Sequence, residues 1–403
     1  MNTFASLRHR NFRLFFVGQS ISNTGNWLTN VALTLLVLRI TGSGFAVGVS
    51  AACQYGPILI ITPWAGAVAD RSNKRRALLL TQVLEMMQSS GLAVLAFLAH
   101  PPLFGLYALA LAGGVVLAFD NPLRRSFVTE MVPKEDLANA VVLYSTIVNV
   151  SRIFGPALAG LLATTLGYGW CFTIDAATYL AVLFCLWRMR DEELHRERHD
   201  DAATSSVRDG VRYLLSVPVL WISFAMLAAV GMLAYNFNVA LPLFVTRSLH
   251  SSEATFTILY SVFSVGAVAS ALIVANRRMV QLRHVVIGAV AMGVAMLLLA
   301  AAPGVMLALP AVFLVGMGSI LYMTSTTSIV QVRSRREMHG RLLALQTVFV
   351  AGTGVIGGPL CGSLADWLGG RAPIILGGIV CLAAAVFGAL ASQTVGEGVG
   401  SKQ

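Results

Sequence analysis

Charge is what this chain has least of. Only 11% of its 403 residues are charged and 57% are hydrophobic, whereas a soluble globular domain carries about 25% charged residues. So few charges cannot cover the outside of a water-soluble body of this size. No polar stretch is long enough for a soluble domain; the longest runs from about Arg188 to Arg212. The alternation of membrane β-barrel strands is also missing. Cysteine is scarce: Cys53, Cys171, Cys185, Cys361 and Cys381 lie in apolar stretches without metal-ligand spacing, and they read as small residues of a membrane core. The histidines are scattered near segment ends and form no metal set. No nucleophile–base set, ligand cluster or phosphate loop marks an enzyme, so neither a cofactor nor a metal is expected. A cleavable signal peptide is not expected either, because the first apolar run is long and no small-residue site closes it.

What the chain does have is a series of apolar runs of about 20 residues, the length that crosses a bilayer as a helix. Twelve are counted: Phe12 to Leu38, Phe45 to Val68, Ala77 to Leu98, Leu103 to Phe119, Leu137 to Leu166, Trp170 to Trp187, Val219 to Val245, Ala254 to Ala275, Val285 to Ala301, Met306 to Val330, Leu342 to Leu364 and Ile374 to Ala391. The fold class expected is an all-α membrane protein. Lys and Arg then fall on one side. Twenty-four lie in segments on the side of the N-terminus, among them Arg8, Arg10, Arg13, Arg124, Arg125, Arg196, Arg198, Arg277, Arg278, Arg336 and Lys402. Three, Arg39, Arg247 and Arg371, lie on the other side. The positive-inside rule makes the first side cytoplasmic, with both termini there. The net charge of +10 is thereby accounted for as a topology signal, and nucleic acid is not needed as a partner.

Two halves resemble each other. Ile153-Phe154-Gly155-Pro156-Ala157-Leu158-Ala159-Gly160 matches Val355-Ile356-Gly357-Gly358-Pro359-Leu360-Cys361-Gly362, with the Gly-Pro pairs 203 residues apart. A duplicated six-span unit marks a secondary transporter with a midplane site. The organisation read is a six-helix half over 1–187, a linker over 188–212 and a second six-helix half over 213–403. The linker carries both signs, and Val207, Val211, Leu214 and Leu215 near its end have the spacing of a short helix lying on the membrane surface.

The loop between spans two and three reads Gly66-Ala67-Val68-Ala69-Asp70-Arg71-Ser72-Asn73-Lys74-Arg75-Arg76. It resembles the signature loop of the major facilitator superfamily, G-x-L-A-D-R-x-G-R-K/R. Val68 replaces Leu, and Asn73 replaces the second Gly; Asn also takes the left-handed turn conformation. The N-terminal stretch Leu7-Arg8-His9-Arg10-Asn11-Phe12-Arg13 is similar to the enterobactin-exporter-like, or transmembrane secretion effector, branch. So are Asn121-Pro122-Leu123-Arg124-Arg125 and Asn149-Val150-Ser151-Arg152-Ile153-Phe154-Gly155-Pro156. Gly155-Pro156-Ala157-Leu158-Ala159-Gly160 is similar to the antiporter motif of span five, ending G-P-x-x-G-G, with Ala159 in place of a glycine and the earlier spaced glycines absent. The branch implies proton-driven export of siderophores, drugs or related metabolites, by a monomer in the cytoplasmic (inner) membrane. Its partners would be a small-molecule substrate, protons and the lipid bilayer.

Candidate residues follow. The resemblance implies that Gly66, Asp70, Arg71 and Arg75 form a gate, with Gly66 letting two helices approach; the alternative is that such basic residues only anchor topology. Arg152 stands inside a span, where an arginine is a functional candidate, roughly 20 Å from the end of its helix. Glu85, in a polar stripe with Gln82 and Ser89, lies at similar depth. Glu85 or Asp120 is expected to neutralise Arg152, and one carboxylate of the set to take a proton; a permanent ion pair is the alternative. Gln19, Asn23, Asn26 and Asn30 share one face of span one. Tyr235, Asn236 and Asn238 in span seven, with Tyr322, Thr324 and Thr327 in span ten, join them as cavity candidates, because the resemblance has spans one, four, seven and ten line the cavity. Interhelical hydrogen bonding is their other use. Gly155, Pro156, Gly358 and Pro359 are hinge candidates, or static kinks. The leading function is export of an amphiphilic molecule such as a siderophore. Multidrug or macrolide efflux and nutrient uptake are same-fold alternatives, and a non-transporting sensor or a membrane enzyme is the alternative from another class.

Overall fold

The structure is a computed structural model that describes residues 4–195, 207–274, 281–335 and 338–400. Arg196, Arg198, Arg277, Arg278, Arg336 and Lys402 of the charge count lie outside the described residues, as does the side chain of Asp70. The described residues form helices and no strand. In order these are α1 (Arg10–Thr41), α2 (Gly44–Arg71), α3 (Lys74–Ala96), α4 (Leu103–Glu130), α5 (Leu137–Thr165), α6 (Tyr168–Trp187), α7 (Val207–Ser216), α8 (Pro218–Leu233), α9 (Phe237–Arg247), α10 (Glu253–Val274), α11 (Leu282–Ala301), α12 (Val305–Arg333), α13 (His339–Leu368) and α14 (Ala372–Gly400).

Eleven spans among the described residues are long and apolar enough to cross a membrane. That is one fewer than the sequence count, and the difference is α1. It has 32 residues, about 48 Å at 1.5 Å per residue, but its stripe of amides makes it too polar to qualify by composition. Large apolar side chains such as Trp64, Phe104, Met306 and Trp367 stand exposed, as the lipid-facing surface of a multi-pass membrane protein requires.

Two elements differ from the sequence reading. The fourth span does not stop at Phe119: α4 runs on to Glu130 through Pro122. The seventh run is not one helix, because α8 and α9 are separated at Ala234-Tyr235-Asn236. Asn236 has φ −87° and ψ 45° there, and its Nδ2 donates to Met232 O at 2.7 Å, satisfying one of the carbonyls that the break exposes.

The chain divides into two compact units: Met1–Gly42 with Cys53–Asp201, and Ser43–Ala52 with Ala202–Gln403. In the first, α1 packs on α5 and α6, and α3 on α4 and α6. Its core at one end joins Phe12, Phe15, Leu78, Phe127, Leu143 and Leu186. The N-terminal motif explains itself here: Asn11 is buried, and its side chain exchanges two hydrogen bonds with the Arg190 backbone at 2.8 and 3.0 Å. In the second unit, α12 packs on both α10 and α11, and α13 and α14 pack on α8. The short α7 forms as expected; Leu214 is buried whereas Val211 and Leu215 are exposed.

Within the second unit the carboxylate of Asp366 on α13 holds the start of α2. It accepts from Gly44 N at 2.7 Å, Phe45 N at 3.0 Å and Ser43 Oγ at 2.9 Å, and it pairs with Arg247 Nη2 at 2.7 Å. Backbone N–H groups at a helix start otherwise lack partners. Asp366→Ala is expected to lower stability by about 1–2 kcal/mol, the range for losing such a cap, read as a lower thermal midpoint of the purified protein; an unchanged midpoint would refute the assignment.

Candidate functional site

The signature loop is a tight joint. α2 ends at Arg71 and α3 begins at Lys74. Asn73 is not in the left-handed conformation that its replacement of glycine led us to expect. Its φ is −69° and ψ 101°, and its Oδ1 accepts from Arg76 N at 3.1 Å, so it caps α3. Arg75 reaches the end of α6: Nε donates to Leu186 O and Nη2 to Trp187 O, both at 2.9 Å, and Nη1 pairs with Asp191 at 3.0 Å. A cation at a helix C-terminus meets the negative end of the dipole. Lys74, read from sequence as an anchor, pairs with Glu130 at the end of α4. Arg71 is exposed. Among the described residues nothing lies within 4 Å of where a Cβ on Gly66 would sit.

Deeper in the first unit lies a buried charge cluster. Its cation is Arg124, which the sequence reading had placed among the topology charges. Because α4 continues past Pro122, Asp120 and Arg124 stand one turn apart on one face. Arg124 Nε meets Asp120 Oδ2, Nη2 donates to Glu85 Oε2 at 3.0 Å, and Nη1 donates to Gln19 Oε1 at 2.6 Å. Asp120 Oδ1 also accepts from Thr81 at 2.7 Å and Gln82 at 2.9 Å. One turn along α3 from Glu85, Ser89 donates to Asp175 Oδ2 at 2.7 Å, and Thr29 donates to the same oxygen at 2.6 Å. All three carboxylates and Arg124 are buried. Arg152 sits elsewhere, with its guanidinium 5.8 Å from the Trp27 ring centroid. The structure thus brings Glu85 and Asp120 together on Arg124, in the role expected of Arg152.

Beside this cluster is a cavity of about 240 Å³ whose lining includes Asn23, Asn26, Asn30, Glu85, Arg124 and Tyr179. Three of the four amides on α1 face it. Asn26 Oδ1 accepts from Tyr179 at 2.7 Å, and Asn30 Oδ1 accepts from Gln54 at 2.7 Å and Tyr55 at 3.2 Å. Gln19 is instead buried against Arg124. Gly155 marks a close crossing of α5 on α1, since a Cβ there would meet that of Trp27; Pro156 follows it, buried, within the unbroken α5.

In the second unit, the break between α8 and α9 places Tyr235 against α12. Its hydroxyl donates to Ser319 O at 2.5 Å, and its ring lies 6.4 Å from that of Tyr322. Tyr322 is fully buried, and its hydroxyl has no hydrogen-bond partner among the described residues. Thr327 accepts from Gln346 at 3.0 Å; Asn238 and Thr324 are half-buried. The glycine of α13 that crosses α8 is Gly357, where a Cβ would meet Met232 O. Gly358 instead faces Gly48, and Pro359 lies within the unbroken α13. Among the described residues no group of His, Cys, Asp and Glu could hold a metal.

The family model described as "Transmembrane secretion effector" matches residues 1–398. The chain belongs to this family of major facilitator transporters. The transporter is 25% identical over 382 residues to the multidrug efflux pump Tap of Mycolicibacterium fortuitum, covering 90% of this chain and 92% of that protein. It is 26% identical over 265 residues to the enterobactin exporter EntS of Salmonella paratyphi A, covering 66% and 63%. It is 30% identical over 176 residues to the staphyloferrin A transporter of Staphylococcus aureus, a match covering 43% of this chain and only 44% of that protein. In fold it is similar to a bacterial homologue of the lysosomal transporter Spinster, with a TM-score of 0.75, 14% identity, and 95% and 97% of the two chains covered.

Proposed function

We propose that this transporter exports an amphiphilic small molecule, a siderophore or related secondary metabolite, driven by protons and working by alternating access of two six-helix halves. The observation that carries this reading is the excess of buried carboxylates over cations beside an amide-lined cavity. Glu85, Asp120 and Asp175 are buried; Arg124 pairs with Glu85 and Asp120, and Asp175 is held by the hydroxyls of Ser89 and Thr29. A buried carboxylate without a full counter-charge favours taking a proton. Glu85 is the carrier, because it lines the cavity as well as pairing with Arg124. Asn23, Asn26 and Asn30 supply hydrogen bonds to the substrate, and Trp27 an apolar contact. The joint at Arg75 and Lys74 serves as the gate of the first half. The charge count supports cytoplasmic termini in the inner membrane, and a monomer suffices for the cycle.

The siderophore class is supported by the likeness to the enterobactin exporter. The full-length likeness to Tap supports drug efflux as the second reading. Mass spectrometry of cells and medium, with and without the gene under iron limitation, separates them: a metabolite retained only without the gene identifies a siderophore substrate, and matching profiles point to drugs. For coupling, E85Q in proteoliposomes is expected to lose transport driven by a pH gradient while still exchanging substrate across the membrane. Pumping by E85Q at the wild-type rate would remove Glu85 as the carrier.

A further inference from the structure

The second unit carries an open groove of about 890 Å³ on its exposed surface. α12 packs on α10 and α11 on either side of it and floors the gap between them. Ile273 of α10 forms one wall, Ile287, Val290, Val294 and Leu298 of α11 the other, and Leu314 of α12 lies in the floor. The four α11 residues recur at intervals of three and four, so they share one helical face, and all are exposed. The groove changes character at one end. Arg283 and His284, in the first turn of α11, also line it.

That end is built to hold an anion. Arg283 is exposed and makes no hydrogen bond or ion pair among the described residues. His284 is oriented: Gln281 N donates to its Nδ1 at 3.4 Å. Nδ1 therefore accepts, and the ring proton stands on Nε2, free to donate. From Arg283 to Leu298 the α11 wall extends about 22 Å at 1.5 Å per residue. One leaflet of hydrocarbon is about 15 Å thick, half of the roughly 30 Å core. The groove is thus long enough to take an acyl chain through a whole leaflet, starting from a cationic rim at its surface.

We infer that this groove binds an anionic phospholipid, its phosphate on Arg283 and His284 Nε2 and an acyl chain along α11. The guanidinium gives charge complementarity to a phosphodiester, and the remaining lining is apolar enough for a hydrocarbon chain. A zwitterionic lipid offers the same chains with no net charge, so the rim discriminates between headgroups while the groove itself does not.

Native mass spectrometry of the purified full-length protein tests this, with phosphatidylglycerol and phosphatidylcholine of identical acyl chains added in turn. The wild type is expected to retain phosphatidylglycerol more strongly. R283Q, at an exposed position, is expected to weaken phosphatidylglycerol about fivefold, the effect of one basic residue at a membrane surface, and to leave phosphatidylcholine unchanged. A291W, which fills the groove from α11, is expected to weaken both. Equal retention of the two lipids by the wild type, or by R283Q and the wild type, would overturn the headgroup assignment. Undiminished binding of both lipids by A291W would overturn the groove, as would finding a second copy of this chain seated there, seen as a dimer mass that A291W abolishes.

Discussion

Replacing Arg124 by Met is expected to destabilise the protein by about 3–5 kcal/mol, the cost of removing one partner from a buried ion pair. Such a loss is a large fraction of the stability of most folds. The side chain is 4% exposed, as against 0% for Asp120 and 6% for Glu85, so water cannot compensate the carboxylates left behind. The measured signs would be a low yield of monodisperse protein and a thermal midpoint well below the wild type. The triple variant R124M/E85Q/D120N separates two meanings of that loss. It removes the stranded charges with the cation, and folding is expected to recover because the remaining amides can still hydrogen-bond. Transport driven by a pH gradient is not expected to recover. A stable R124M single variant would show that the cluster is not the buried, charged unit described above. Arg124→Lys is no conservative control, because one ammonium cannot match the forked contacts to Asp120, Glu85 and Gln19.

The second large effect is steric and comes with an internal control. Gly357→Ala places a methyl group on Met232 O at the crossing of α13 and α8. Backbone cannot swing aside as a long side chain can, so the helices must separate, at a cost of about 1–3 kcal/mol. Gly66→Ala puts the same methyl group where no described residue lies within 4 Å and should stay within about 0.5 kcal/mol of the wild type. Comparing thermal midpoints of the two variants decides the matter. If Gly66→Ala is the more harmful, the roles of the two glycines are reversed.

The helical architecture was legible because it depends on coarse properties: apolar runs of membrane length and few charges. The signature loop was legible by its order of residues, yet its geometry was not. Asn73 replaces a glycine, and a left-handed turn was the natural expectation; the side chain instead found a cap, which a letter-by-letter match does not distinguish. Arg124 was hidden by Asp120-Asn121-Pro122, which reads as a helix end, so the arginine beyond it read as a loop charge. A proline removes one hydrogen bond without having to stop a helix whose other bonds are protected from water. The (i, i+4) spacing of Asp120 and Arg124 was the signal that could have revealed the pair. Arg152 drew attention only because its surroundings in sequence were apolar. The interruption at Ala234-Tyr235-Asn236 contains neither glycine nor proline, and the Asn236 within it read as a cavity residue rather than as a break, so periodicity could not reveal it. Asp366 fell just past the apparent end of its span, and the backbone groups it caps are more than 300 residues away in sequence.

The interruption between α8 and α9 has an electrical meaning as well. A continuous helix shows its partial charges only at its two ends. Dividing this one brings a fractional negative pole, at the close of α8, and a fractional positive pole, at the opening of α9, into the body of the span. Asn236 answers one carbonyl of the first pole. The remainder is a polar locus of main-chain groups, in a segment that has no acidic or basic side chain between Pro218 and Thr246. Unlike the cluster around Arg124, it does not consist of charged side chains. The two units therefore carry different kinds of polarity within their spans, one of charged side chains and one of main-chain poles.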